Sequence, residues 1–187
     1  MKVIGIVGMP GSGKSEAADI ARSMGIHVVV MGDIVRKGVA DSGRKINPGT
    51  LRLMMIELRK KYGKSVVAER CLPEIRSHKS DSVVIVDGLR SLHEVEAFRQ
   101  EFPDFTVVAI HSSPKTRYNR LLERQRKDDP HNWREFLRRD RLELRIGIGD
   151  VIALADIVVP NEGAESEFRE SIMRTVAMVA ANDKSSD

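Results

Sequence analysis

Eight consecutive residues, Gly8-Met9-Pro10-Gly11-Ser12-Gly13-Lys14-Ser15, have the spacing G-x-x-x-x-G-K-[ST] of a phosphate-binding P-loop, the Walker A pattern. The residue types suit the chemistry. Triphosphate oxygens are cradled by main-chain N–H groups, so the backbone must come close and side chains must stay away. Gly8, Gly11 and Gly13 permit that approach, while Met9, Pro10 and Ser12 complete the cradle. Lys14 would reach the β and γ phosphates, and the Ser15 hydroxyl would bind magnesium. ATP and Mg2+ are therefore the expected cofactors. No Asn-Lys-x-Asp motif for guanine is present, which favours ATP over GTP.

Such a loop needs a strand before it and a helix after it. Residues 2–7 form an almost unbroken apolar run, as a strand covered on both faces should. After Ser15, the residues Ala17, Ala18, Ile20, Ala21 and Met24 share one side of a helix, and Gly25 ends it. The N-terminus of that helix points its positive end and unpaired N–H groups at the anion.

The chain has 187 residues and a formal net charge of +4. That length suits one α/β domain with small insertions. Residues 33–80 carry 12 Lys/Arg against 5 Asp/Glu, and residues 115–145 carry 11 against 6, so the remainder is acidic. A nucleic-acid binder more often shows one broad basic face with stacking aromatics. Here aromatics are only 4% and Trp133 is the sole tryptophan, so the two basic segments suit a compact polyanion better. No run approaches a membrane span, and a strand at the very N-terminus speaks against a signal peptide. Cys71 is the single cysteine, so no internal disulfide can form and a reducing cytoplasm is the expected home. It reads as a small core residue, not a nucleophile. Residues 182–187 read as a frayed tail.

Along the chain, residues 27–31 read as a second buried strand, delivering Asp33 and Arg36 to its carboxyl end, the edge where ligands bind in open parallel sheets. Helices are expected from Asp33, from Asn47-Pro48 with Leu51, Met54, Met55 and Leu58 on one face, and from Ser65 with Cys71 and Ile75 inward. Residues 82–86 form the third strand, followed by Asp87-Gly88-Leu89-Arg90 and a Ser91…Glu94 capping box. Residues 105–110 form the fourth. Ser113-Pro114 opens a helix with Tyr118, Leu121 and Leu122 inward and a ladder formed by Arg117, Arg120, Arg124 and Arg126. Asp128 and Asp129 read as its stop. Asn132 opens a charged helix with Phe136, Leu137, Leu144 and Ile146. Residues 155–159 form a fifth strand, and 165–180 a final helix. The five histidines show no ligand spacing and are assigned no chemistry. Strands alternating with helices give a parallel sheet covered on both sides.

Four stretches together resemble P-loop nucleotide kinases. The phosphate loop with Pro10 looks like that of adenylate kinase. Gly32-Asp33-x-x-Arg36 is similar to the motif opening its acceptor segment. Asp87-Gly88 with Arg90 resembles its Asp-Gly-x-x-Arg stretch, displaced by one residue. Arg120-Leu121-x-x-Arg124 resembles the start of its lid, here without a zinc-binding cysteine set. The tail from Ala155 to Gly163 looks instead like dephospho-coenzyme A kinase, where an Ala-Asp strand and an Asn-x-Gly turn flank the adenine. The mixture most resembles an archaeal family related to both enzymes.

The resemblance implies a three-layer αβα P-loop NTPase fold with strand order 2-3-1-4-5. It implies a core of 1–32, 81–114 and 147–182, an acceptor-binding insertion at 33–80 and a lid at 115–146. It implies that Ser15 and Asp87 hold magnesium and that Asn161 lies near the adenine. Asp33, Arg36 and Arg90 would bind an acceptor, and Arg120, Arg124 and Arg126 would close over the transferred phosphate. The expected partner is a nucleotide-like small molecule, a nucleoside monophosphate or a dephospho-coenzyme A-like acceptor, and not a membrane or a nucleic acid. Asp33 would be a general base if the acceptor offers a hydroxyl, and no base is needed if it offers a phosphate. Two other readings stand beside this one: a nucleotide-binding regulator that hydrolyses ATP slowly, and RNA association through the basic segments.

Overall fold

The computed structural model describes residues 1–126 and 129–181; the expected stop at Asp128 and the tail 182–187 lie outside the described residues. Strands β1 (Lys2–Val7), β2 (His27–Val30), β3 (Val83–Asp87), β4 (Phe105–His111) and β5 (Ile157–Pro160) form one parallel sheet in the order β2-β3-β1-β4-β5. This is the expected order. Beside β1, the register sets Ile6 against Asp87 on one side and Val7 against Ala109 on the other. The carboxyl ends of the three central strands therefore open on one edge. The chain leaves β1 towards β2 and later returns to its other flank, which places the topological switch point there.

Side chains alternate across the strands, so each strand feeds two cores. Val3 and Val7 of β1, Val84 and Val86 of β3, and Phe105 and Val107 of β4 face one core. Ile4, Ile6, Ile85, Val108 and Ile110 face the other. The second core is closed by α1 (Lys14–Ser23) and α9 (Glu165–Ala181), whose Phe168, Ile172, Val176 and Val179 are buried as the helical spacing requires. The first is closed by α2 (Met31–Asp41), α3 (Pro48–Tyr62), α4 (Val66–Ser77), α5 (Leu92–Glu101) and α8 (Ile148–Ala153). The remaining helices, α6 (Pro114–Arg124) and α7 (Trp133–Ile146), sit against the P-loop side of the sheet. Among the described residues, no helix is long and apolar enough to cross a membrane.

Local signals account for most boundaries. Asn47 caps α3, accepting from the Thr50 amide at 3.0 Å, with Pro48 in the first turn. Asn132 does the same for α7 through Glu135 at 2.9 Å. Gly25 has φ +79°, the left-handed turn that ends α1.

Several expectations are corrected. Met31 starts α2 instead of ending β2, because β2 stops where its partner β3 stops, at Asp87. Ala155 and Asp156 precede β5; the Asp156 carboxylate accepts from the Val107 amide at 2.7 Å and pairs with Arg99. Gly147, at φ +109°, separates α8 from α7. Leu122 points outward, not inward, and Leu144 of α7 is exposed as well. On α6 the buried stripe is Arg117 and Leu121, and Leu122 is rotated about 100° away from it.

Candidate nucleotide and acceptor site

The P-loop is tight enough that side chains would collide with it. A Cβ at Gly8 would lie 2.5 Å from the Ile110 carbonyl and from the Ser12 hydroxyl. Gly13 has φ +103° and caps α1 without any side-chain bond, so no side chain takes the first-turn amides at the cap. Lys14 folds back along the loop and donates from Nζ to the Gly8 carbonyl at 2.5 Å and the Met9 carbonyl at 3.2 Å. Burial pushes its ammonium down to about 8, against the pull of the Asp87 carboxylate.

Asp87 ends β3 beside Ile6 and Val30. Burial pushes its carboxyl up, opposed first by Lys14. Its Oδ1 is buried and has no hydrogen-bond partner among the described residues, a condition that costs about 1–3 kcal/mol unless a ligand, ion or water meets it. An orphaned carboxylate oxygen, with a serine hydroxyl at the start of α1, is a hard oxygen donor set. Among the described residues, no group of three or more His, Cys, Asp or Glu could hold a metal by itself. The Asp87 carboxylate and the Ser15 hydroxyl are the oxygen donors magnesium takes, since it uses one or two protein oxygens and fills its shell with phosphates and water.

Two cavities open on this edge. The first, of about 390 Å³, lies over the P-loop; Lys14, Arg36, Arg90, Arg120, Arg124 and Arg126 line it, joined by Arg139, with Glu16 and Glu143 as its carboxylates. The second, of about 710 Å³, lies between the α2–α3 side and α7, with Met31, Val35, Leu51, Met55, Val67 and Leu142 in its apolar wall. The two share Lys14, Arg36, Gly88, Arg90, Arg139 and Glu143. They therefore meet at the lysine of the loop.

The structure sorts the sequence-derived candidates. Arg36 and Arg90 line both cavities, and Arg90 pairs with Glu143 at 3.4 Å. Arg120 is held by Ser112 at 3.0 Å and by the Asn161 Oδ1 at 3.1 Å. Arg124 is gripped by the buried Asp129 carboxylate at 2.9 and 2.5 Å, and the Arg126 amide donates to the same carboxylate at 3.0 Å. Asp33 lines neither cavity; it pairs with Arg36, and its side chain is 67% exposed. Asn161 also lines neither. It lies buried beneath the loop, donating from its amide to the Ser12 carbonyl.

Three features of the site go beyond the roles read from sequence. Arg117, 4% exposed, makes a bidentate pair with Asp140 of α7 at 2.9 and 2.6 Å and donates to the Pro10 carbonyl at 3.1 Å, tying α6 and α7 to the loop. Arg139 and Glu143, four residues apart on α7, face the junction of the cavities; that spacing is a signal that one helix face carries both. Glu94 is legible as a capping-box residue, but it also holds Arg59 of α3 at 2.8 Å.

The chain matches the AAA domain family over residues 7–136. It is 42% identical over 186 residues to a UPF0200 protein of Methanothermobacter thermautotrophicus, covering all of this chain and 95% of the relative. It is 46% identical over 175 residues to a UPF0200 protein of Hyperthermus butylicus, covering 94% and 93%. Among solved structures, TT1252 of Thermus thermophilus superposes with a TM-score of 0.70 at 22% identity, covering 95% of this chain and 96% of that one. Dephospho-CoA kinase of Campylobacter jejuni superposes at 0.61 and 14%, covering 96% and 98%. Shikimate kinase of Acinetobacter baumannii superposes at 0.58 and 16%, covering 97% and 96%. At these identities the structural likeness establishes the fold.

Proposed function

The chain belongs to the UPF0200 family and carries an AAA domain in a P-loop kinase-like fold, and from that premise we propose that it transfers the terminal phosphoryl group of ATP to a nucleotide-like small molecule. One observation carries this reading: a second cavity meets the P-loop cavity at Lys14. A protein that only binds or hydrolyses nucleotide needs the first cavity and water. A transferase needs a place for an acceptor in line with the terminal phosphate. We assign residues 33–80 to acceptor binding and 115–146 to a lid over a core formed by the rest.

Phosphoryl transfer is mostly positioning and charge neutralisation. Lys14 would release the Gly8 and Met9 carbonyls to hold the β and γ phosphates. Ser15 and Asp87 would hold magnesium, which, when bound, neutralises charge on the phosphate oxygens. Arg36 and Arg90, at the junction, would orient the reacting end of the acceptor, since guanidinium forks match phosphate oxygens. Arg120, Arg124 and Arg126 would cover the transferred group and exclude water. Asn161 would act on nucleotide through the loop it supports. An acceptor phosphate needs no base. For an acceptor hydroxyl, Asp33 would first have to leave Arg36.

The test is a 31P NMR transfer assay with Mg2+·ATP against nucleoside monophosphates and dephospho-coenzyme A. The expected result is a phosphorylated product with at least one acceptor, abolished by Lys14→Met with the fold intact. ATP binding with slow hydrolysis and no product from any acceptor would instead favour a nucleotide-binding regulator.

A further inference from the structure

The arginines of the second cavity differ in how they are held. Arg36 and Arg90 belong to both cavities, so they attend the point of transfer. Arg52, Arg138 and Arg145 line the second cavity alone and are exposed. Arg59 also lines the second cavity alone, but its side chain is only 20% exposed, and it is built in. Its Nη2 donates at 2.8 Å to Oε1 of Glu94, a carboxylate 2% exposed. The other oxygen of Glu94 accepts from the amides of Arg90 at 2.8 Å and Ser91 at 3.2 Å. The carboxylate thus locks Arg59 of α3 to the loop that follows β3.

A guanidinium carries five N–H donors. Among the described residues, Glu94 is the hydrogen-bond partner of Arg59, and the Nε is buried with no partner. Leaving that buried donor unmet is costly unless something else accepts from it. Met31, Val35, Leu51, Met55 and Val67 give the cavity an aliphatic and thioether wall beside its charged residues, carboxylates as well as arginines, and no aromatic ring lines it among the described residues. The pocket therefore offers a fixed cation and apolar contact, without a stacking platform.

We infer that Arg59, oriented by Glu94, binds an anionic group of the acceptor that is distinct from its reacting end. The inference rests on the kinase reading and narrows it. The acceptor class is a small molecule with an apolar-tolerant body and two separated polar ends: one that reacts beside Lys14 under Arg36 and Arg90, and a phosphate or carboxylate that docks on Arg59. Arg59 selects the acceptor without touching the transferred phosphoryl group.

The test uses the whole chain saturated with Mg2+ and ADP, so that the P-loop is filled, and inorganic phosphate as the probe at constant ionic strength. The Arg59 Nε–H resonance is identified in 1H–15N spectra as the signal missing from Arg59→Lys. It is expected to shift saturably with phosphate. Phosphate affinity by calorimetry should fall about tenfold or more in Arg59→Lys, the scale of one charge-assisted hydrogen bond, while ADP affinity stays within about twofold. A resonance that stays still while phosphate binds would make the Arg59–Glu94 pair a strut only, and overturn the inference. So would a linear, non-saturating shift, or an Arg59→Lys protein that binds phosphate like the wild type. If Arg59→Lys does not fold, assignment through the backbone of the wild-type protein leaves the saturable shift as the deciding result. Failure to bind ADP at the outset would sink the kinase reading, whereas ADP binding with a silent Arg59 sinks this inference alone.

Discussion

The Asn161 side-chain amide donates to the Ser12 carbonyl at 3.0 Å, joining the loop after β5 to the phosphate loop across 149 positions of sequence. The same residue is fixed from both sides. Its backbone amide donates to His111 at 2.7 Å, its carbonyl accepts from the Ser112 hydroxyl at 2.6 Å, and its Oδ1 accepts from Arg120. The P-loop is thereby braced from below by a residue that does not line the cavity above it.

Asn161→Ala should weaken ATP binding about tenfold and lower stability by about 1 kcal/mol, the value of a lost hydrogen bond with its partner left unmet. Calorimetric titration with an ATP analogue and urea denaturation measure the two. An unchanged ATP affinity would mean that the loop keeps its shape without the brace.

Asp87→Asn keeps the size of the side chain and removes its charge. Half-maximal ATP turnover is expected to require at least about tenfold more Mg2+, on the scale seen when a group supporting a metal is removed, and Asp33→Asn should leave that requirement where it is. Magnesium titrations of the three proteins separate these outcomes. Equal magnesium dependence in all of them would remove Asp87 from the metal site.

Arg117 and Asp140 pair inside the structure with little water around them. Removing one partner strands the other, and Arg117→Met should cost about 3–5 kcal/mol. Arg117→Met combined with Asp140→Leu should recover much of that loss, because no charge is left unpaired. Denaturant midpoints of the single and double variants read the coupling; additive losses would contradict it.

Cys71 is wholly buried among helices α2 to α4, and burial pushes its thiol up to about 12, with Glu74 adding to the effect. The folded pKa lies above the unfolded value, so the thiol form favours the native state fully below about 9 and this contribution fades as pH rises towards 12. The stability difference between wild type and Cys71→Ala should shrink above pH 9, measured by denaturation at pH 8 and 10. At pH 8 the native thiol should resist a disulfide reagent that titrates it at once in denaturant. Rapid labelling of the native protein would contradict the buried placement.

Much of the molecule follows from short-range chemistry. The phosphate loop is contiguous, so its spacing, its glycines and its flanking strand and helix are written within about two dozen residues. The caps at Asn47 and Asn132 are likewise local bonds, and the buried face of α9 is a period-3.6 pattern. These features need only near neighbours, and neighbours are what a sequence displays. The tertiary structure alone decided which charges meet. Arg117 and Arg120 stand on one helix and look alike in sequence; Asp140, 23 positions on, makes one a buried strut, and Asn161 holds the other at the cavity over the P-loop. Leu122 faces water because the single buried stripe of α6 passes through Arg117 and Leu121. Asp33 pairs with Arg36 three residues on along α2, a contact the spacing allows, but that Arg36 lines both cavities and Asp33 neither was decided by how α2 packs. Burying a charge is tolerable only where a partner arrives, and that partner comes through strand order and helix packing, over distances at which local pattern carries no information.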